Sequence, residues 1–158
     1  NSMKNIAKLL TSIIGCELVG FIGTPFTISA IPTWYATLNK PFFAPPNWLF
    51  GPAWTLLYFL MGISFYLIWK QDFKTLKAKI ARKFFFVQLF LNLIWSPLFF
   101  GLRSPLLGLI DIVALWIFIV ITTYKMHPVS KWASYLLIPY LLWVTFATTL
   151  NGAILILN

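Results

Sequence analysis

The stretch that decides the fold is PFFAPPNWLFGPAWTLLY, residues 41–58. It places four prolines, three phenylalanines, two tryptophans and a tyrosine at the entrance of a long apolar segment. Proline removes a backbone donor and clashes with the preceding helical turn, so this density predicts a fixed geometry between a loop and a helix. The aromatic residues are typical either of a site for a flat ligand or of an interfacial belt in a membrane protein.

The composition indicates a membrane protein. Of 158 residues, 60% are hydrophobic and 9% are charged, and the mean hydropathy is +0.86. A soluble single domain of this length has no interior large enough for so much apolar surface. The one cysteine, Cys16, excludes internal disulfides, and the scarcity of His, Asp and Glu predicts no metal site. Residues 1–158 are predicted to form one domain, with Asn1 and Ser2 interpreted as a cloning remnant ahead of Met3.

Five apolar segments are each long enough to cross about 30 Å of hydrocarbon, which takes about 20 helical residues. The sequence therefore predicts an all-α integral membrane protein, a bundle of five transmembrane helices. The predicted spans are residues 6–26, 46–69, 84–100, 105–124 and 132–157. Either Pro46 or Pro52 can occupy the first turn of the second helix, and a start at Pro46 predicts a kink at Pro52.

The basic residues predict the orientation. Ten of the twelve Lys and Arg residues fall at one end of a five-span bundle, and only Lys40 and Arg103 fall at the other. The positive-inside rule makes the crowded end cytoplasmic. The N-terminus is then cytoplasmic, and the first loop and the C-terminus face away, in what is expected to be a bacterial cell membrane. Because the net charge of +9 arises between apolar segments, it does not indicate nucleic-acid binding.

The first segment has an alternative interpretation as a signal peptide. Lys4 and Lys8 precede its apolar run, and the sequence IIGC, which ends at Cys16, resembles a lipoprotein cleavage site. Cleavage would leave four spans. The apolar run continues beyond Cys16, however, and Cys16, Gly20 and Thr24 recur at every fourth position, which is typical of a small-residue packing face. We therefore favour a first segment that remains as a helix.

Helical spacing groups bulky rings with amide or small residues on three helix faces. These faces are Trp54 and Tyr58 in the second span, Asn92, Trp95 and Phe99 in the third, and Trp143, Ala147 and Asn151 in the fifth. All three lie toward the first loop, where their convergence would form an aromatic pocket with polar anchors. Trp34 and Tyr35 of the loop are available as parts of a lid. Interfacial anchoring and interhelical hydrogen bonding are the structural alternatives for the tryptophans and asparagines.

Glu17 and Asp111 are the only acids within the predicted spans. Ionisable groups inside a membrane are functional hypotheses by default, and a transporter of protons or small hydrophobic molecules would use them. Without a basic residue inside the membrane, these two acids are too few to form a proton relay on their own. Asp111 can alternatively form a hydrogen bond to a neighbouring helix. The sequence contains no glycine-rich phosphate loop and no nucleophile, base and orienting group at a suggestive spacing.

Four blocks carry a resemblance to a known family. They are WYATLNKPFFAPPNWLFGPAWTLLYFLMGISFYLIWK at 34–70, QLFLNLIWSPLFFGLRSP at 88–105, the isolated Asp111, and LLIPYLLWVTFATTLN at 136–151. Proline, tryptophan and asparagine recur in them at fixed spacing. The chain resembles the translocator proteins, called TspO in bacteria and the peripheral-type benzodiazepine receptor in mitochondria.

The resemblance implies a homodimeric five-helix receptor for porphyrins such as protoporphyrin IX and for isoquinoline carboxamide or benzodiazepine-type drugs. It places the ligand in a pocket under the first loop. The pocket residues that it implies are Tyr35, Pro45, Trp54, Asn92, Trp95, Trp143 and Ala147, to which helical spacing adds Tyr58. It also implies light-dependent porphyrin breakdown, with Trp54 and Trp143 as redox partners. The porphyrin is then ligand or substrate, and no other cofactor is required.

The chain departs from the family pattern at two places. After the ATTLN block, the cholesterol motif of the mitochondrial members continues with a Tyr and then an Arg, whereas this chain reads GAILILN. Because such motifs are weak evidence, the sequence makes no prediction about cholesterol binding. Lys83 and Val87 stand where the family has a glycine pair associated with dimerisation. The interface of the expected homodimer is therefore not assigned.

Overall fold

A computed structural model describes residues 2–158. Asn1, part of the proposed cloning remnant, lies outside the described residues, whereas Ser2 begins the first helix. The helices are α1 (Ser2–Ala30), α2 (Phe50–Trp69), α3 (Leu76–Ser96), α4 (Pro105–Met126), α5 (Lys131–Tyr135) and α6 (Ile138–Leu157). Residues 2–158 contain no strand, and five of their helical stretches are long and apolar enough to cross a membrane. The predicted all-α, five-span integral membrane fold is thus confirmed.

The first turn of α2 contains Pro52 and not Pro46. Pro46 has extended backbone angles and precedes a 3-10 turn, Asn47–Leu49, which leads directly into α2 at Phe50. Pro52 is then the third residue of α2. The first N–H groups of a helix have no intrahelical acceptor, so the missing N–H of Pro52 costs no hydrogen bond there.

Several predicted boundaries differ from the structure. Helix α3 begins at Leu76 rather than at residue 84, because the Thr75 hydroxyl caps it by accepting a hydrogen bond of 3.2 Å from the backbone N–H of Ala78. Helix α1 runs on to Ala30. The fifth span consists of α5 and α6, separated by Leu136 and Leu137. Pro139 has no N–H to donate to the Tyr135 carbonyl, four residues earlier, and its ring clashes there, so the helix is interrupted after Tyr135.

The helices alternate in direction, so the bundle has two distinct ends. The basic end contains the start of α1, the connection 70–75 and the connection 127–130. The loop end contains the C-terminus and residues 31–46, a segment that we call the lid. The side chain of Asn158 accepts a hydrogen bond of 3.0 Å from the Asn39 backbone N–H and donates one of 2.9 Å to the Asn39 carbonyl. We call this pair of hydrogen bonds the latch, because it ties the lid to the end of α6.

Small residues let α1 approach α2 and α3 closely. A Cβ atom on Gly62 of α2 would lie 2.6 Å from the Cα atom of Ile13, and one on Gly20 of α1 would lie 2.4 Å from the Tyr58 ring. The Ser96 hydroxyl donates to the Gly23 carbonyl at 3.0 Å, which joins α3 to α1. Close packing through glycines and interhelical hydrogen bonds is how helices associate in lipid. The packing of α1 supports its interpretation as a spanning helix.

Candidate functional site

A cavity lies at the loop end of the bundle, beneath the lid. Aromatic rings from α2, α3 and α6 form most of its wall, and Tyr35 of the lid forms its roof. The lining residues are Thr27, Tyr35, Phe50, Trp54, Trp95, Phe99, Phe100, Ile112, Trp143, Ala147, Leu150, Asn151 and Ile154. The cavity volume is about 70 Å³, which is room for no more than a few water molecules.

The rings of the wall make two geometrically different surfaces. Trp95 and Phe99 stack on one side, with ring centroids 5.0 Å apart and planes inclined by 17°. Trp54 and Trp143 meet edge to face on the other, at 6.4 Å and 85°, and Phe50 contacts Trp143 in the same manner. Offset stacking and edge-to-face contact are the favoured aromatic arrangements. The rings that bound the cavity therefore already make favourable contacts with one another.

A wide helical turn at the end of α3 positions the stacked pair. Pro97–Gly101 forms a π-helical turn, closed by a hydrogen bond of 2.8 Å from the Leu102 N–H to the Pro97 carbonyl. Such turns carry one extra residue and are frequent at functional sites. Phe99 and Phe100 are neighbours in sequence, yet both are buried and both line the cavity.

Two buried hydrogen-bond donors in the cavity wall lack an acceptor within residues 2–158. They are the Trp143 Nε1–H and the Tyr35 hydroxyl. Burial raises the pKa of the Tyr35 hydroxyl above its ordinary value, so it remains a donor well into the alkaline range. By contrast, Trp95 Nε1 donates to Asn151 Oδ1 at 3.2 Å. Since buried polar groups are normally paired, the two free donors mark places where a ligand acceptor would fit.

Tyr58 and Asn92 lie deeper in the bundle than this cavity. They line a second small cavity, of about 70 Å³, which shares Trp54 and Trp95 with the first. The Tyr58 hydroxyl donates to Asn92 Oδ1, and Asn92 Nδ2 donates to the Tyr140 hydroxyl at 2.7 Å. The Asn92 amide is thus engaged in joining α2, α3 and α6. Its role as a ligand contact stays a prediction.

The lid covers the cavity through aromatic contacts. Trp34 packs edge to face on Phe99 with centroids 5.5 Å apart, and the buried Tyr35 contacts Phe100 at 5.8 Å. The Lys40 ammonium lies 4.7 Å from the centroid of the Tyr35 ring. Pro45, which the resemblance places in the pocket, is half-buried in the lid and does not line the cavity.

The two acids of the spans occupy different surroundings. Asp111 is buried on α4, and neither of its carboxylate oxygens has a hydrogen-bond partner within the described part of the chain. Glu17 lines a groove between α1 and α2 that opens toward lipid. Across the described residues, no group of three or more His, Cys, Asp and Glu side chains is arranged to hold a metal ion.

The structure brings Tyr35, Trp54, Trp95, Trp143 and Ala147 together around the cavity. Sequence reasoning missed several other lining residues, although a signal existed for some of them. Phe50 lies four residues before Trp54 on the predicted face, and Leu150 and Ile154 continue the face of Trp143 and Ala147 at helical spacing. Thr27 and Phe100 had no comparable signal, since one lies on α1 and the other depends on the π-helical turn.

Comparison with known proteins gives consistent matches along the chain. The sequence model of the TspO/MBR family matches residues 12–157. The "Tryptophan-rich protein TspO" of Archaeoglobus fulgidus is 53% identical over 154 residues, which cover 98% of this chain and 99% of that protein. The "Tryptophan-rich sensory protein" of Cereibacter sphaeroides is 35% identical, with coverage of 96% and 92%. The human "Translocator protein" is 40% identical over 139 residues, with coverage of 87% and 80%.

Proposed function

This chain belongs to the TspO/MBR family, and we propose that it is a membrane receptor or sensor that binds porphyrins in the cavity beneath the lid. Isoquinoline carboxamide and benzodiazepine-type drugs are flat aromatic molecules of the same kind and would use the same site. The names of two relatives, a sensory protein and a translocator protein, support a role in sensing or ligand handling. The observation that carries the proposal is the aromatic wall with two unsatisfied donors.

The chemistry of the wall suits a flat, largely apolar ligand with a few acceptor atoms. A macrocycle would stack on Trp54 and Trp143, since aromatic faces gain from offset stacking. The free Trp143 Nε1–H and Tyr35 hydroxyl would donate to its acceptor atoms. A propionate group at the mouth would meet Lys40, whose ammonium lies above Tyr35.

Binding of a porphyrin requires the site to expand. Small-molecule pockets usually measure about 300–1,000 Å³, whereas this cavity measures about 70 Å³. The contacts that must open are the edge-to-face pair of Trp54 and Trp143 and the contact of Trp34 with Phe99. We therefore propose an induced opening, in which the lid lifts and the macrocycle replaces contacts between rings with contacts to itself.

Light-dependent porphyrin breakdown is a proposed activity of the same complex. An indole stacked on a photoexcited porphyrin would donate an electron to it, and dioxygen would be the oxidant that the breakdown requires. Trp54 and Trp143 are the rings nearest the proposed macrocycle. We further propose that the protein works as a homodimer in a bacterial cell membrane. The ten basic residues at the basic end support a cytoplasmic position for that end, which puts the lid on the opposite side.

Protoporphyrin IX quenching of tryptophan fluorescence in detergent tests the proposal. Trp143→Phe removes a free donor and is expected to weaken binding about tenfold, a loss of roughly 1.4 kcal/mol. Trp54→Phe should weaken it less, because a smaller ring still stacks. Trp132→Phe is the matched control, since Trp132 is 70% exposed at the basic end. Unchanged affinity in both pocket variants would overturn the proposal.

Illumination of the same complexes tests breakdown separately. The porphyrin Soret band should bleach in the wild type and in Trp132→Phe, and more slowly in Trp54→Phe and Trp143→Phe at saturating porphyrin. Bleaching at equal rates in all four proteins would show that the tryptophans take no part in the breakdown, and it would not count against the binding site.

Transport of small hydrophobic molecules is a second candidate function, and one observation favours it. A buried carboxylate without a partner, as at Asp111, is costly inside a membrane and is typically retained for function. Porphyrin flux into liposomes should then fall in Asp111→Asn and Glu17→Gln. Flux equal to the wild type in both variants would make these acids structural.

A further inference from the structure

A groove larger than the aromatic cavity opens at the basic end of the bundle. It lies between α1 and α3, with α2 as its floor, and has a volume of about 590 Å³. Phe65 and Trp69 of α2 and Phe85, Phe86 and Leu89 of α3 give it an apolar lining. Along α3 the groove runs from Arg82 to Leu89, which is about 10 Å at 1.5 Å per residue. Phe86 is exposed, so the groove is open to lipid.

The α1 side of this groove is open because its residues are small. Gly15 lines the groove, and a Cβ atom on it would meet no other atom within 4 Å. Thr11, Ser12 and Cys16 line the same side. A chain-shaped apolar ligand can therefore lie along α1 without displacing a side chain.

The rim of the groove is cationic. The Arg82 guanidinium lies 4.6 Å from the centroid of the Phe73 ring, and the Lys8 ammonium lies 5.9 Å from that of Trp69. Ion pairing among residues 2–158 is limited to Lys8 with Asp72. Arg82 is thus left without a carboxylate, and Asp72, the one acid near the rim, is already neutralised.

The end wall of the groove is held in an unfavourable backbone conformation. Asp72 and Phe73 are consecutive non-glycine residues with φ angles of 60° and 53°, in the left-handed region that L-residues avoid. Their position is fixed by the Lys8–Asp72 pair, by a hydrogen bond of 2.7 Å from the Asp72 N–H to the Trp69 carbonyl, and by contact of Phe73 with Phe65. This conformation presents Phe73 to the Arg82 guanidinium, and such strain persists where the surroundings over-determine it.

We propose that this groove binds an anionic phospholipid of the leaflet at the basic end, with its phosphate on Arg82 and one acyl chain along Phe85, Phe86 and Leu89. A guanidinium binds phosphate through two parallel hydrogen bonds, a geometry that an ammonium does not offer. The apolar lining selects a phosphate that carries a chain over a soluble one. A second copy of this protein is a poorer occupant, because its acid at the basic end, Asp72, is already paired with Lys8 and offers Arg82 no counter-charge.

Native mass spectrometry of the full chain, released from nanodiscs with equal amounts of palmitoyl-oleoyl phosphatidylglycerol and phosphatidylcholine, tests the proposal. The wild type should retain phosphatidylglycerol in preference to phosphatidylcholine, and soluble glycerol phosphate should not displace it. Arg82→Gln should lower phosphatidylglycerol retention about tenfold. Lys83→Gln removes the same charge from the next, exposed position of α3 and should change retention less than twofold.

A steric variant tests the acyl-chain part independently of charge. Gly15→Leu places a side chain into the open space of the groove and should lower retention of both lipids. Gly51→Leu is its control, since a Cβ atom on Gly51, near the loop end, also meets nothing within 4 Å. If Arg82→Gln and Lys83→Gln lowered phosphatidylglycerol retention equally, retention would depend only on the overall positive charge, and the proposal would be overturned. Full retention in Gly15→Leu, displacement by glycerol phosphate, or a protein dimer in place of bound lipid would also overturn it.

Discussion

Removal of the Asn158 side chain is expected to release the lid and to speed porphyrin binding. The latch joins Asn158 to the backbone of Asn39 through hydrogen bonds of 3.0 and 2.9 Å, and Asn158→Ala removes both. Both residues are exposed, so each bond is assigned the lower end of the net range, about 0.5 kcal/mol. The loss of about 1 kcal/mol raises the population of the open lid roughly fivefold.

The structure also predicts an order among latch variants. Asn39→Ala keeps the two backbone atoms that the latch uses and loses only a weaker hydrogen bond, of 3.4 Å, from its side chain to the Leu157 carbonyl. Its effect on the association rate should stay below twofold. Asn47→Ala, which removes an exposed amide at the same end of the bundle but outside the latch, should match the wild type.

Stopped-flow quenching of tryptophan fluorescence by protoporphyrin IX measures the effect. If the lid must lift before the porphyrin enters, the association rate constant should rise about fivefold in Asn158→Ala. The dissociation rate constant should rise with it, because the latch no longer closes over the bound ligand. Association in Asn158→Ala within twofold of the wild type, or equal to that of Asn39→Ala, would refute lid opening through the latch.

Three further predictions concern stability in detergent, measured by thermal or denaturant unfolding. Gly62→Ala should destabilise the protein by roughly 1–3 kcal/mol, because its methyl group would overlap the α1 backbone; Gly51→Ala, in open space, should not, and equal effects would contradict the packing. Asn92→Leu should lower the free energy of unfolding by roughly 1–3 kcal/mol through the loss of two interhelical hydrogen bonds. An unchanged stability would show that these hydrogen bonds do not stabilise the bundle. The hydrogen bond and charge of Lys8 lower the pKa of Asp72, so the stability that this pair contributes is present above about pH 4 and is lost as the pH falls through the lowered pKa. The stability difference between the wild type and Asp72→Asn should therefore be largest at neutral pH and should disappear at acidic pH; a difference independent of pH would contradict this prediction.

Much of the fold could be predicted because hydrophobic length and helical spacing are local properties of the sequence. The five spans follow from the hydrophobic length that lipid demands, and Trp54, Trp95 and Trp143 converge because each lies on the inner face of its own helix. The start of α3 was misplaced because hydropathy detects only the part of a helix that lies in hydrocarbon. Thr75, a capping residue ahead of the basic turns, was the local signal for the true start.

The polar part of the site could not be predicted from spacing. Asn92 was expected to orient a ligand, yet its amide joins Tyr58 to Tyr140, while the free donors are Trp143 Nε1 and the Tyr35 hydroxyl. Which polar groups are satisfied depends on contacts between helices that are distant in sequence. The need for the cavity to expand could not be predicted from the sequence either, because the volume between the rings depends on the rotamers of their side chains.

The π-helical turn at Pro97–Gly101 makes the shape of the cavity sensitive to the length of the chain. Deletion of one residue from this turn would restore α-helical winding and rotate the residues on one side of it by about 100° relative to the other. Phe99 and Phe100 could then no longer both face inward. A single insertion or deletion can therefore reshape this wall of the cavity while every aromatic residue is retained.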